Sequence, residues 1–393
     1  MNNVESSPRV ATISYTTHSK HFNYGAVLHG WAFQQVLARM GCGSVVIDYL
    51  PRGLEGYSLK WPVFNALRGW RHPLLIPRRV AQWLVSTRAN LRKLKKFEEF
   101  LRTRLVCTPR TYTEKSLEAA REFEGCSPSV FVCESDVIWK WSEKHGFDRG
   151  FYLDFPAAAG KRKVAYAPSV SKQPFPADEE HRFADYLRGF DAISSRERAG
   201  AEYMSRISGR DVPWLLDPTL LLQADDYAVI AKPSQRNGYI LLYTCMNANV
   251  NMVREAKSLA ARTGKTLVEV GNYGINRYLF GHEVVDDAGI EEWLGLFMGA
   301  DAVVCNSFHG ICFSLIFNKP FYVFSRGNED TRFQNICEAT GLSGRLLPKD
   351  GTIPNEGAPI DFKDVAHRLV PLRERSMRFI DENIVTPAKG GVL

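Results

Sequence analysis

The chain has 393 residues, 45% hydrophobic and 24% charged, with 30 glycines and 20 prolines, the profile of a globular protein of two or three domains rather than a disordered or collagen-like one. Its eight cysteines include no C-x-x-C pair, which excludes a zinc knuckle or dithiol centre of that spacing and fits a reducing cytoplasm. The net charge of +7 is regional, because residues 51–110 hold 14 Lys and Arg against Glu55, Glu98 and Glu99.

The polar start MNNVESSP runs directly into RVATISY, without the basic and then apolar pattern of a signal peptide. No apolar run reaches the roughly 18 residues of a membrane span, so neither export nor a transmembrane segment is expected. Val10 to Tyr15 predicts a strand, and the spacing of Val27, Leu28, Trp31, Ala32, Gln35 and Val36 predicts a helix ending near Gly41. Between them His18, Lys20 and Asn23-Tyr24-Gly25-Ala26 form a strand-to-helix turn. Gly25 would let the backbone approach a ligand there, but the turn lacks the G-x-G-x-x-G fingerprint of dinucleotide enzymes. Ser44 to Tyr49 predicts a second strand and completes a βαβ unit.

The basic stretch follows. It carries Trp61, Phe64, Trp70 and Trp83, and its Leu74, Leu75, Ile76, Val80 and Leu84 alternate with Arg71, Arg78, Arg79 and Arg88. Two readings stay open, an interfacial helix against anionic lipid and a solvated helical hairpin. No recognition motif accompanies the charge, so a nucleic-acid partner is not expected.

Short strands are predicted at Ser129 to Cys133, Lys163 to Tyr166 and Ala192 to Ser194, alternating with helical patterns, the rhythm of a mostly parallel sheet. A second series repeats that rhythm. Its strands are Tyr239 to Tyr243, Thr266 to Val270, Ala302 to Cys305 and Phe321 to Phe324, and its helices Met252 to Arg262, Ile290 to Met298 and Cys312 to Phe317. The pattern from Val365 to Ile380, interrupted by Pro371, would be a helix crossing back between the domains. The fold class is therefore α/β, with two tandem Rossmann-like domains, 1–222 and 223–393, and a cleft between their carboxyl strand ends. The basic helical insertion at about 51–110 belongs to the first of them.

Candidate chemistry lies where strands give way to helices. The segment Asp301 to Gly310 ends in Asn306-Ser307-Phe308-His309-Gly310 before an apolar helix, so its backbone N–H groups and helix end favour a phosphate or carboxylate. His309 at such a turn is an acid/base candidate. Arg196, in Ser194-Ser195-Arg196-Glu197, is a candidate anion clamp whose guanidinium Glu197 would hold. No phosphate loop, H-E-x-x-H helix, G-x-S-x-G elbow or D-x-D pair is present; no metal and no cofactor are expected.

Six pieces, in order, resemble the polysaccharide pyruvyl transferase family. They are NYGAVL at 23–28, ESDVIW at 134–139, YAPS at 166–169, SSRE at 194–197, DPTLL at 217–221 and NSFHGICFSLIFNKPF at 306–321, the last being the most specific. One departure stands out. The family carries Gly-Ser-Asp-Gln-x-Trp where this chain has Glu134 and Val137 at the glycine and glutamine places.

The resemblance implies a two-domain fold of the GT-B kind, with an acceptor-side N-terminal domain and a donor-binding C-terminal domain. It implies transfer of the enolpyruvyl carbons of phosphoenolpyruvate, a co-substrate, to two hydroxyls of one sugar, giving a cyclic pyruvate ketal and phosphate. His309 would then be the acid/base group and Arg196 would join it in catalysis. Donor binding would fall to Arg196, Asn306, Ser307, Phe308, His309 and Gly310, with Arg326 and Arg332 as further clamps. Asn23, Tyr24, Gly25, Asp136 and Trp139 would face the acceptor, with the indole as a stacking surface. The acceptor would belong to a bacterial polysaccharide or its lipid-linked precursor, and the protein would be cytoplasmic, seated peripherally on the inner membrane face if the basic segment binds lipid. Two rival readings are a GT-B glycosyltransferase using a nucleotide sugar and a noncatalytic scaffold of envelope assembly.

Overall fold

The computed structural model describes residues 9–17, 22–54, 76–170, 173–245, 249–271, 274–327, 331–355 and 357–390, those at 76–84 by backbone only. Its strands, in chain order, are β1 (Val10–Ile13), β2 (Ser44–Val46), β3 (Tyr49–Leu50), β4 (Tyr112–Thr113), β5 (Val130–Glu134), β6 (Arg162–Tyr166), β7 (Ala192–Ile193), β8 (Tyr239–Thr244), β9 (Thr266–Gly271), β10 (Glu283–Val285), β11 (Ala302–Cys305), β12 (Phe321–Phe324) and β13 (Leu346–Leu347). Five of them pair in the order β2-β1-β5-β6-β7 and six in the order β10-β9-β8-β11-β12-β13. Neighbours run parallel throughout both sheets. Buried runs such as VFVCE in β5 and YILLYT in β8 are what a parallel sheet covered on both faces requires. The chain thus folds as two Rossmann-like α/β domains in tandem.

Strand order reverses once in each sheet, between β1 and β5 and between β8 and β11. Such switch points open a crevice outside the carboxyl strand ends. Residues following β1 and β5 therefore face those following β8 and β11 across the interface. The faces are fastened by an apolar seam: Tyr24 stacks on Trp293 at 5.2 Å and donates its hydroxyl hydrogen to the Ala288 carbonyl at 2.8 Å.

The helix Tyr24–Arg39 begins where Asn23 Oδ1 accepts the Ala26 N–H at 3.2 Å, and the chain turns at Gly41 with φ +70°. Most expected elements appear within two residues of their predicted ends, with informative exceptions. The predicted strand from Ser44 to Tyr49 divides, because beyond Val46 the chain leaves the first sheet and Tyr49 pairs with Tyr112. The helix expected from Cys312 starts at Phe308, after an extended Ser307, so His309 occupies its first turn. The final helix, Phe362–Ile380, runs through Pro371 without ending. It then returns the chain to the first domain, where Ser376 Oγ accepts the Leu216 N–H and Arg9 donates to the Ala388 carbonyl.

The basic stretch yields one long helix, Ile76–Arg104. Residues 55–75, with Trp61, Phe64, Trp70 and Arg71, lie outside the described residues, as do the side chains of Arg78, Arg79, Val80 and Trp83. From residue 85 onward the helix buries Ser86, Ala89, Lys93, Phe97 and Phe100, an i, i+3, i+4 stripe. Across the domain interface Arg92 pairs with Asp287, Lys96 with Glu292 and Arg104 with Glu291, at 2.7, 2.6 and 3.1 Å. These three basic side chains are thus engaged by acidic groups of the second domain. Among the described residues no helix is long and apolar enough to cross a membrane.

Candidate active site

The loop after β5 sets the first wall. Ser135 and Asp136 hold left-handed φ values of 45° and 54°, a costly conformation for residues with side chains that marks sites where surrounding structure overrides local preference. Backbone bonds secure it: Ser135 N–H donates to the Tyr166 carbonyl, and the Asp136 carbonyl accepts from Ser169 N–H. The bend turns both side chains towards Arg196.

Arg196 is buried and held by acids from two other segments. Its Nη1 donates to Asp217 Oδ2 at 2.7 Å and to Ser135 Oγ at 3.2 Å, while Nη2 lies 3.6 Å from Asp136 Oδ1. The guanidinium sits 4.9 Å from the Phe308 ring centroid, within cation–π range. Burial opposes its charge, but Asp217 and Asp136 outweigh that and raise its pKa. Asp217 is tied further by the N–H and hydroxyl of Thr219 and by Ser135 Oγ, at 3.0, 2.7 and 2.7 Å. Despite burial, the neighbouring His309, Arg196 and His29 hold it well below the usual carboxylate range.

His309 projects into the same place from the other domain. Its Nε2 lies 3.5 Å from Asp217 Oδ2, with no hydrogen bond closed. Burial, with Arg196 and His29 nearby, lowers its pKa against the pull of Asp217. The ring of His29 stacks on it, with centroids 6.1 Å apart and planes at 19°. His29 Nδ1 is 2.8 Å from Glu134 Oε2 and its Nε2 is 3.7 Å from Asp136 Oδ2. Burial would discharge this imidazole, but the two carboxylates prevail and raise it to about 10.

Further cations close the pocket. Arg332 is buried, its Nε has no hydrogen-bond partner, and the nearest carboxylate oxygen, Glu197 Oε2, is 4.0 Å away. Burial and repulsion from Arg196 lower its pKa, and Arg326 acts on it in the same sense. Arg196 Nε and Nη2 are likewise buried without hydrogen-bond partners. Several cations converging with unfilled donors make a site for a small polyanion. Asn306 Oδ1 accepts the Cys245 N–H at 2.8 Å and ties the ends of β8 and β11 together. Ser307 is the N-cap of the His309 helix without a side-chain cap bond. Gly310 sits where a Cβ would approach Cys305 Sγ to 2.7 Å. Among the described residues no group of three or more His, Cys, Asp or Glu is arranged to hold a metal ion.

Some expected residues lie elsewhere. Trp139 offers no stacking surface: it is fully buried, donates its indole N–H to the Phe151 carbonyl at 3.0 Å and stacks on Tyr152. Tyr24 is occupied by the interdomain seam, and Asn23 is the exposed helix cap. Glu197 does not hold Arg196; it accepts from Ser169 and Thr331 and faces Arg332, while Asp217 takes the role assigned to it. His18 and Lys20 lie outside the described residues. Spacing did not point to His29 or to the function of Ser135 and Asp217. The one available signal was Glu134, a carboxylate in an apolar strand that requires a buried partner.

A family model described as polysaccharide pyruvyl transferase matches residues 23–328, a span containing every side chain of this pocket except Arg332. The chain belongs to that family. No curated protein matches it. Among solved structures it is similar to UDP-GlcNAc 2-epimerase from Methanocaldococcus jannaschii, at 9% identity over 92% of this chain and 90% of that one, with a TM-score of 0.45. AviGT4, a glycosyltransferase involved in avilamycin A biosynthesis, matches at 12% identity over 97% and 98%, with a TM-score of 0.44. ADP-heptose LPS heptosyltransferase II of E. coli matches at 12% identity over 93% and 99%, with a TM-score of 0.41. The candidate chemistry of this chain lies at the two facing switch points of its sheets.

Proposed function

We propose that the protein transfers the enolpyruvyl group of phosphoenolpyruvate to two hydroxyls of one sugar in a bacterial polysaccharide or its lipid-linked precursor, forming a cyclic ketal and releasing phosphate. The observation that carries this reading is the convergence of buried Arg196, Arg332 and His309, with unfilled donors on both arginines, on one interdomain pocket. Phosphoenolpyruvate carries a phosphate and a carboxylate on one carbon, which suits a pocket with several cationic donors.

The chemistry follows from the charges. The π pair of the enol takes a proton at the methylene carbon, leaving oxocarbenium character at C2 that the carboxylates of Asp136 and Asp217 stabilise. One sugar hydroxyl attacks C2 and loses its proton. Phosphate then leaves C2 and takes up the proton of the second hydroxyl, whose oxygen bonds to C2 and closes the ring. His309 delivers the first proton and, neutral afterwards, accepts one from the attacking hydroxyl.

A thermal-shift comparison tests the donor. Phosphoenolpyruvate should raise the melting temperature and lose that effect in Arg332→Gln, since a ligand bound only by the folded state stabilises it. Stabilisation by nucleotide sugars and none by phosphoenolpyruvate would overturn the reading.

A further inference from the structure

His29 is fully buried, and each of its ring nitrogens faces a carboxylate, Glu134 at 2.8 Å and Asp136 at 3.7 Å. Ionised carboxylates only accept hydrogen bonds, so an imidazole between two of them is held as an imidazolium with both N–H groups turned outward. Thr16 Oγ1 donates to the other Glu134 oxygen at 3.3 Å and fixes that acid. The remaining charged groups facing the pair of histidines are Asp217 and Arg196.

The His29 and His309 rings are 6.1 Å apart. Two unit charges at that distance, at an effective dielectric of about 20, disfavour each other by on the order of two pH units. A charged His29 therefore disfavours charge on His309, adding to burial and to Arg196, which displace it in the same direction against Asp217. A neutral ring cannot protonate the enol. The incoming donor reverses the balance, because its negative charges lie beside His309 while His29 is already satisfied by its own two acids.

We propose that His29 is a positioning residue of the reaction: its imidazolium, fixed by Glu134 and Asp136, keeps His309 unprotonated until the anionic donor arrives, so that donor binding itself loads the catalytic acid. The proton enters from solvent with the donor's charge and passes from His309 to the methylene carbon, whose π pair forms the new C–H bond. His309 returns to neutral, and nothing is oxidised or reduced. This rests on the donor reading above.

The test is an NMR titration of the histidine rings in the full chain, alone, with phosphoenolpyruvate and with inorganic phosphate, for wild type, His29→Gln and Glu134→Gln. In the free wild type His309 should protonate only below neutral pH, and His29→Gln should raise that midpoint by about one to two pH units. Glu134→Gln, which keeps the ring but weakens its hold on the proton, should raise it by less. Phosphoenolpyruvate should move the wild-type midpoint up by at least about one unit, and phosphate should do so partly. A His309 midpoint unchanged in both variants overturns the inference, as does a His309 already charged at neutral pH in the free protein. Phosphoenolpyruvate that perturbs no histidine refutes the donor reading and the loading step together, whereas the free-protein comparison alone decides the coupling between the rings.

Discussion

Gly25 and His309 touch across the domain interface so closely that a Cβ on Gly25 would lie 1.9 Å from His309 Nδ1. The contact lets the first turn of one helix serve as the floor on which the imidazole of the other rests. Gly25→Ala should favour the helix by roughly 1 kcal/mol in propensity and yet displace the ring. The expected outcome is a folded protein, by circular dichroism, with kcat/KM for phosphoenolpyruvate reduced by about 100-fold. Wild-type activity in that variant would remove His309 from the chemistry.

Arg332 makes a prediction of opposite signs. Buried, with Nε unpaired and its nearest acid 4.0 Å away, its charge costs the folded protein a desolvation that no partner repays in full. Arg332→Gln should raise the melting temperature of the free protein and weaken phosphoenolpyruvate binding by about 10-fold or more, the value of a charge-assisted hydrogen bond. Calorimetric titration and a melting scan read the two effects separately.

Two buried cations bend the pH dependence of stability in opposite directions. The pKa of His29 is raised to about 10 from an ordinary 6.5, so its contribution is complete below 6.5 and fades as pH rises to 10. Lys93 is pulled by burial from 10.5 to about 7, against the charges of Asp286 and Asp287. Its unfolded form binds the extra proton in that window, so stability from this group grows as pH rises from 7 to 10.5. The wild type should be nearly flat between pH 7 and 10. Lys93→Met should lose stability with rising pH, by at most about tenfold per unit in the unfolding constant, and His29→Gln should gain it. Urea unfolding at several pH values distinguishes these slopes.

The long basic helix is held by its apolar stripe more than by its charges. Phe97 is fully buried against Phe22 and Tyr24, so Phe97→Ala should cost about 3 to 5 kcal/mol. Lys96, whose partner Glu292 is also partly solvated, should cost no more than about 1 kcal/mol on replacement by alanine. Equal losses in chemical denaturation would contradict this ranking.

Much of the architecture was legible because parallel strands buried on both faces are continuous apolar runs, as in Val130–Glu134 and Tyr239–Thr244. The edge strands Glu283–Val285 and Leu346–Leu347 escaped notice, being three and two residues long. Arg196 and His309 were visible as polar residues at strand-to-helix junctions, a positional signal the fold itself creates. His29 was not, since it stands off the apolar stripe of its helix and the partners that enclose it, Glu134, Asp136 and His309, are all distant in the chain. Asp217 entered only as the first residue of the DPTLL piece: its Oδ1 caps the local turn, and the reach of Oδ2 to Arg196 is tertiary. Trp139 misled for the converse reason. An indole beside a polar loop suggests a platform, but its N–H finds the Phe151 carbonyl and the ring enters the core.

The most direct test of the central claim is phosphate release from phosphoenolpyruvate across a panel of galactosides, glucosides, mannosides, N-acetylmannosaminides and lipid-linked oligosaccharides, for the wild type and His309→Ala. Release that depends on a particular sugar and falls by at least about 100-fold in the variant is the result the account predicts. Release that no sugar stimulates, or that His309→Ala leaves intact, would contradict it.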